Sequence, residues 1–181
     1  MRYAQIDPCE IVNGNGVGVS LYVQGCPIHC KGCFNPETWD FDGGEEWTFE
    51  TEKEVIDLVN KEYIKRFSIV GGEPLYKDNV LDLFLLVSAL KEFNSGIDIW
   101  LWTGYTWEQI QQRLADAKMA WPKINEGVYL YGLLTQIDYI IIGPFIEEEK
   151  DLTLLWRGSK NQEVLLCEES FRKGKKVYYI D

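Results

Sequence analysis

Cys26, Cys30 and Cys33 stand at C-x3-C-x2-C spacing inside Gln24–Asn35, a stretch that also holds the only histidine, His29. Gly25, Pro27 and Gly32 around them argue for an irregular loop rather than a regular element. Thiols this close in sequence bind a metal or cluster, or form a redox pair. Zinc asks for four ligands around one ion, so His29, Cys9 or Cys167 would have to complete the set. His29 is poorly suited, because it adjoins Cys30 and neighbouring residues reach one ion only with strain. A redox pair would use Cys30-Lys31-Gly32-Cys33 and leave Cys26 without a role. The common iron–sulfur clusters take four thiolates, so three would leave one iron open to another ligand. Spacing favours the open cluster over zinc, and zinc over redox or merely structural thiols, without excluding any of them.

The elements around this loop decide what it faces. Val17 to Val23 alternates as a strand and runs directly into the cysteines. Thr51 to Ile64 has the helical period, Arg66 to Val70 reads as a strand, and Asp78 to Phe93 reads as a helix apolar nearly all round, hence buried. Ile97 to Thr103 is a further strand, and Thr106 caps a polar helix to about Lys118. Pro122 breaks the chain, Glu126 to Leu134 fits helix or strand, and Ile137 to Ile142 is a continuous apolar strand. Val164 to Cys167 and Lys176 to Ile180 read as final strands. Near the N-terminus, Asp7-Pro8 and Asn13-Gly14-Asn15-Gly16 mark turns around a short Cys9 to Val12 segment. The glycines there suit a tight turn better than a phosphate loop, since no strand–turn–helix unit of the right spacing follows.

Strands alternating with helices imply a parallel sheet covered by helices. Four or five such strands are too few for a closed eight-stranded barrel. The expected fold is therefore α/β: one domain over 1–181, an open, partial β/α barrel with a mostly parallel sheet. In such sheets ligands sit at the carboxyl ends of the strands. The cysteine loop, Gly71-Gly72-Glu73-Pro74 and Thr103-Gly104 each follow a strand, so all three are expected on one face.

Bulk properties narrow the classes. The 181 residues carry 29 acidic against 18 basic side chains, a net charge of −11. That balance argues against a nucleic-acid surface, which needs clustered Lys and Arg. The apolar run Val80 to Leu90 is broken by Asp82 and Ser88 and is too short to span a bilayer. With no apolar leader after Met1, a cytoplasmic protein with reduced thiols is expected.

Cys26-x3-Cys30-x2-Cys33 together with Gly71-Gly72-Glu73-Pro74 resembles the signature of the radical S-adenosylmethionine enzymes. Asp7-Pro8, Ile11-Val12-Asn13-Gly14, Gly25-Cys26-Pro27, Gly32-Cys33-Phe34-Asn35 and Thr38-Trp39 sharpen the likeness. So do Trp100-Leu101-Trp102-Thr103-Gly104-Tyr105 and Trp156-Arg157-Gly158-Ser159-Lys160-Asn161-Gln162. Together they resemble the anaerobic ribonucleoside-triphosphate reductase-activating proteins over about residues 7–162, with 163–181 as a C-terminal extension. The resemblance implies an oxidoreductase in which Cys26, Cys30 and Cys33 hold a [4Fe–4S] cluster whose open iron binds S-adenosyl-L-methionine. Gly32, Cys33 and Phe34 would lie beside the adenosine end, and Gly71, Gly72 and Glu73 beside the methionine end, with Thr103 nearby. It also implies a flavodoxin- or ferredoxin-like electron donor. The 5′-deoxyadenosyl radical would then make a glycyl radical on the large subunit of the reductase. No side-chain acid or base is implied, and His29 falls outside the ligand set.

The pattern has departures. Relatives commonly carry an aspartate before the glycine at Gly143, where this chain has Ile142, with Asp138 as a substitute or a strand cap. Residues 119–134 read as an insertion. Trp156 to Gln162 would either contact the partner or close the fold, and Cys9 and Cys167 read as buried structural thiols. Two other readings stand beside the activase: another short radical enzyme of the same superfamily, and a zinc-stabilised binding module.

Overall fold

The computed structural model describes residues 1–119 and 126–180. The chain opens with β1 (Arg2–Glu10) and β2 (Gly18–Val23), followed by the cysteine loop and the short β3 (Glu45–Glu46). Then come α1 (Phe49–Val59), β4 (Arg66–Gly71), α2 (Lys77–Phe93), β5 (Asp98–Trp102), α3 (Trp107–Met119) and α4 (Glu126–Leu134). The chain finishes with β6 (Tyr139–Ile142), β7 (Glu163–Leu166), α5 (Cys167–Lys173) and β8 (Tyr178–Ile180).

All eight strands form one open sheet in the order β3-β1-β2-β4-β5-β6-β7-β8. Its centre, β2-β4-β5-β6, is parallel as expected. The flanks are antiparallel: β1 with β2 and β3 on one side, β7 with β6 and β8 on the other.

Strand alternation divides the sheet into two faces. Val19, Leu21, Val23, Phe67, Ile69, Ile99, Leu101, Ile140, Ile142 and Leu165 pack against residues of all five helices. Burying such a side chain stabilises the fold by roughly 1.5–3 kcal/mol. Among the described residues the opposite face packs no helix. There Trp100, Ile141 and Val164 form a second cluster with Trp102, Tyr139, Trp156 and Tyr179. The helices expected over the sheet thus lie on one side of it.

Several sequence expectations are corrected. The segment around Cys9 is part of a nine-residue strand that passes through Pro8. A register shift between Asp7 and Glu10 marks the irregularity where a proline is tolerated. α2 is apolar on two sides but buried on one: Leu83, Leu86, Val87 and Leu90 are covered, while Leu81 and Leu85 are exposed. Glu126–Leu134 is helical. Pro122 and residues 120–125 of the expected insertion lie outside the described residues. Cys167 opens α5 instead of ending a strand. Thr106 caps α3 as expected, accepting from the Gln109 N–H at 3.3 Å while Gln109 Oε1 accepts from the Thr106 N–H at 2.8 Å.

At the amino end of the central strands the helix-free face is polar. Arg66 is fully buried there; its guanidinium donates to Glu10 and Ser68, both at 2.6 Å. Gly14 sits above it with φ 116°; an added Cβ would lie 2.8 Å from Trp100 and 2.9 Å from Arg66. The Asn13–Gly16 glycines therefore make the expected tight turn over this network.

Candidate iron–sulfur site

Each parallel strand ends on the same side of the sheet. β2 delivers the cysteine loop, β4 delivers Gly71–Pro74, β5 delivers Thr103-Gly104, and β6 delivers Gly143 to Ile146. Three of these loops were expected to converge, and the contacts show how they do so. The Gly72 N–H donates to the Val23 carbonyl at 2.8 Å, and the Glu73 N–H to the Gly25 carbonyl at 2.9 Å. A side chain at Gly72 would lie 2.5 Å from the Gly25 oxygen, and Gly71 has φ 97°. Glycine is required twice here, once for contact and once for conformation.

Glu73 is completely buried. Its Oε1 accepts from Thr103 Oγ1 at 2.7 Å and from the Leu75 N–H at 2.9 Å, and its Oε2 accepts from the Gly104 N–H at 2.8 Å. Burial pushes the carboxyl up to about 7 despite these donors and the charge of Arg113. The result is a carboxylate fixed in orientation, with acceptor capacity remaining on Oε2 and no described cation in hydrogen-bond contact. Thr103 belongs to the site through Glu73.

The three cysteines are free thiols, Cys26 buried and Cys30 and Cys33 half-buried. The Asn35 N–H donates to the Cys33 sulfur at 3.4 Å. Burial raises Cys26 and Cys30 above the ordinary thiol range, and the Glu73 charge adds to it. Thiols so placed need a cation to become thiolates. Three thiols carried on one loop, without a fourth cysteine in Gln24–Asn35, are the donor type that an iron–sulfur cluster takes, each thiolate on its own iron. His29 lies outside this donor set, exposed at φ 51° and stacked on Trp39 with ring centroids 4.7 Å apart.

Residues 12–165 match the family described as 4Fe-4S single cluster domain. The anaerobic ribonucleoside-triphosphate reductase-activating protein of Escherichia coli (strain K12) is 36% identical over 91% of this chain and 97% of its own length. The proteins of the same name from Vibrio cholerae and Enterobacteria phage T4 are 37% and 38% identical, again over 91% of this chain and over 97% and 93% of their own lengths. The chain belongs to the family of anaerobic ribonucleoside-triphosphate reductase-activating proteins.

In this member of the family, Phe34 is 53% exposed beside the third cysteine. Its ring lies 5.0 Å from that of Phe145, with Lys150 Nζ 5.2 Å from its centroid. Gly32, at φ 72°, leaves room for the Glu147 carboxylate, which pairs with Lys31 at 2.9 Å. Ile142 is buried in the helix-side core. Asp138 stands at the amino end of β6, bound to Lys91 Nζ and the Ile99 N–H, both at 2.7 Å. It caps the sheet at the end away from the site and does not replace an acidic residue at 142.

The Phe145 loop was missing from the sequence-derived site. Gly143-Pro144 ending an apolar strand was the available signal, because the same stop marks the other strand-end loops. Among the described residues no helix is long and apolar enough to cross a membrane. Cys167 is fully buried as expected and its thiol donates to the Leu134 carbonyl at 3.2 Å, a packing role; Cys9, expected buried, is instead exposed on β1, near the register shift of that strand.

Proposed function

We propose that the chain is a glycyl-radical-generating activase of an anaerobic ribonucleoside-triphosphate reductase, a single radical S-adenosylmethionine domain folded as an open, partial barrel. Cys26, Cys30 and Cys33 are the ligands of a [4Fe–4S] cluster; Gly71, Gly72 and Glu73 receive the methionine end of S-adenosylmethionine, and Gly32, Cys33 and Phe34 its adenosine end. The observation that carries this reading is the lacing of the Gly71–Glu73 loop to Val23 and Gly25 at the root of the three-thiol loop. It brings the buried Glu73 carboxyl group beside a thiol set lacking a fourth cysteine, which supports a role for Glu73 in receiving an ammonium.

The protein's own contribution is placement. Thr103 Oγ1 and the Leu75 and Gly104 N–H groups hold the Glu73 carboxylate in one orientation, so an arriving ammonium meets a fixed acceptor. The Asn35 N–H on the Cys33 sulfur favours a thiolate there without adding a competing side chain. Phe34 offers an exposed aromatic face to a base. When bound, and given one electron from a flavodoxin- or ferredoxin-like donor, the cluster and S-adenosylmethionine would supply the radical chemistry for taking hydrogen from a glycine of the reductase large subunit.

Anaerobic loading with iron and sulfide, followed by reduction with the cofactor and the reductase large subunit, should give a glycyl radical by electron paramagnetic resonance. A cluster-loaded chain that cleaves the cofactor but leaves its cognate subunit radical-free would instead indicate a different substrate. Stoichiometric zinc without sulfide in anaerobically purified protein would replace the cluster reading with a zinc module.

A further inference from the structure

A cavity of about 500 Å³ lies between β1, residues 41–47 and the first turn of α2. None of the three clustered cysteines and none of Gly71–Glu73 lines it. Two of its lining side chains are buried amides, Gln24 at 4% exposure and Asn79 at 2%. Their orientation is fixed, because each amide nitrogen donates to two backbone carbonyls. Gln24 Nε2 donates to those of Glu37 and Asp40 at 3.1 and 2.7 Å, and Asn79 Nδ2 to those of Gln24 and Glu73 at 3.3 and 3.1 Å. Both amide oxygens are left as acceptors, and among the described residues neither has a donor. Buried acceptors are normally satisfied, so these two call for a donor from outside the chain.

The groups around them select that donor. Asp42 and Asp78 line the same cavity, and neither carboxylate has a hydrogen bond or ion pair among the described residues. Asp78 stands in the first turn of α2 and offsets the positive end of that helix. The lining cations are already engaged. The Met1 amine pairs with Asp82, and Arg2 donates to the Gly43 and Gly44 carbonyls at 2.6 and 2.7 Å, with Glu46 3.6 Å away. Phe41 and Tyr76, ring centroids 4.7 Å apart, line the wall together with Trp47. Carboxylates, amide oxygens and aromatic rings together attract an organic cation. The volume suits a small molecule, since such sites span roughly 300–1,000 Å³.

We propose that this cavity binds a small aliphatic amine or guanidine, its cationic head held by the Gln24 and Asn79 amide oxygens and paired with Asp42 and Asp78. The site adjoins the cysteine loop without being part of it: the Asn79 amide that lines the cavity also holds the Gln24 and Glu73 carbonyls. It stands independently of the cluster reading.

The test is isothermal titration calorimetry of the full chain with putrescine and with agmatine, against butane-1,4-diol as the neutral counterpart of putrescine. Each amine should bind at one site, at least about tenfold more tightly than the diol. The Asp42→Asn, Asp78→Asn double variant, changed at two exposed side chains, should bind both amines about tenfold more weakly. Glu169→Gln, on α5, should leave them unchanged. Nuclear Overhauser contacts from the bound amine should reach the Phe41, Trp47 and Tyr76 rings. No saturable binding of either amine, equal binding of the diol, or an unchanged affinity in the double variant would overturn the proposal. Loss of amine binding at saturating S-adenosylmethionine would make the cavity part of the cofactor site and overturn it as a separate one. If the double variant does not fold by circular dichroism, the diol comparison and the ring contacts decide, and an amine that touches none of the three rings counts against the proposal. A chain that binds the amines but no S-adenosylmethionine would defeat the cofactor reading alone.

Discussion

Glu73 is the residue at which the site's electrostatics become measurable. Its carboxyl titrates at about 7 in the fold against an ordinary value of 4.5. A raised value means that protonation stabilises the ligand-free fold. The contribution is complete below pH 4.5 and is lost as pH rises through 7, amounting to about 3 kcal/mol. Urea midpoints of ligand-free protein should therefore fall between pH 5 and 8, and Glu73→Gln should flatten that decline. Thr103→Val removes a donor that favours the charged form, so the decline should move to higher pH. An unchanged profile for Glu73→Gln would show that other groups set the pH dependence. An ammonium bound at Oε2 would reverse the preference, because a buried carboxylate is stabilised by an adjacent cation.

At the scale of elements, β1 and β4 are joined by one ion pair across β2. Glu10 Oε1 and Arg66 Nη1 are 2.6 Å apart, with Arg66 fully buried and Glu10 nearly so. Burial alone would raise the Glu10 carboxyl; Arg66, Ser20 and the Asn13 and Val12 N–H groups outweigh it and hold it at about 2. Here the sign is opposite to that of Glu73. The contribution is present above pH 4.5 and is lost as pH falls toward 2, about 3 kcal/mol in all. Arg66→Met should lower stability at pH 7 by roughly 3–5 kcal/mol, because it strands a buried carboxylate, and should abolish this part of the acid dependence. Urea unfolding of both proteins at pH 7 and pH 3 measures each effect. The central strands were legible in the sequence because each is a short apolar or alternating run that ends in glycine or a polar break. β1 was not, since Asp7-Pro8 signals a turn and the register shift that accommodates it is a property of pairing. The same limit hid the ring contact of Phe145 with Phe34, centroids 5.0 Å apart. Local pattern identifies both loops but cannot show that they meet. Trp156–Gln162 was open to two readings; Trp156 stacks in the helix-free cluster and its carbonyl accepts from Trp102 Nε1 at 2.8 Å, while Ser159, Asn161 and Gln162 bind the neighbouring turn. The motif closes the fold.

For the whole molecule, the C-terminal strands are part of the sheet that carries the site. β7 pairs with β6 at four registered positions, and β8 pairs with β7. Leu165 and Phe171 bury on the helix side, Val164 on the other, and Tyr179 stacks against Trp156 at 5.7 Å and against Tyr139 at 4.5 Å. β6 in turn carries Gly143 and the turn that bears Phe145. Truncation after Gln162 would expose the edge of β6 and remove burial worth roughly 5–9 kcal/mol for Val164, Leu165 and Phe171 together. That is comparable to the whole stability of a typical domain. The truncated chain should therefore be largely unfolded by circular dichroism and rapidly cleaved by protease at temperatures where the full chain resists. If instead it melts within a few degrees of the full chain, residues 163–180 are an appendage and the Phe145 turn depends on the 158–162 segment alone. The two outcomes also differ at the iron site: loss of the sheet edge should take iron binding with it, whereas an appendage should leave iron content unchanged.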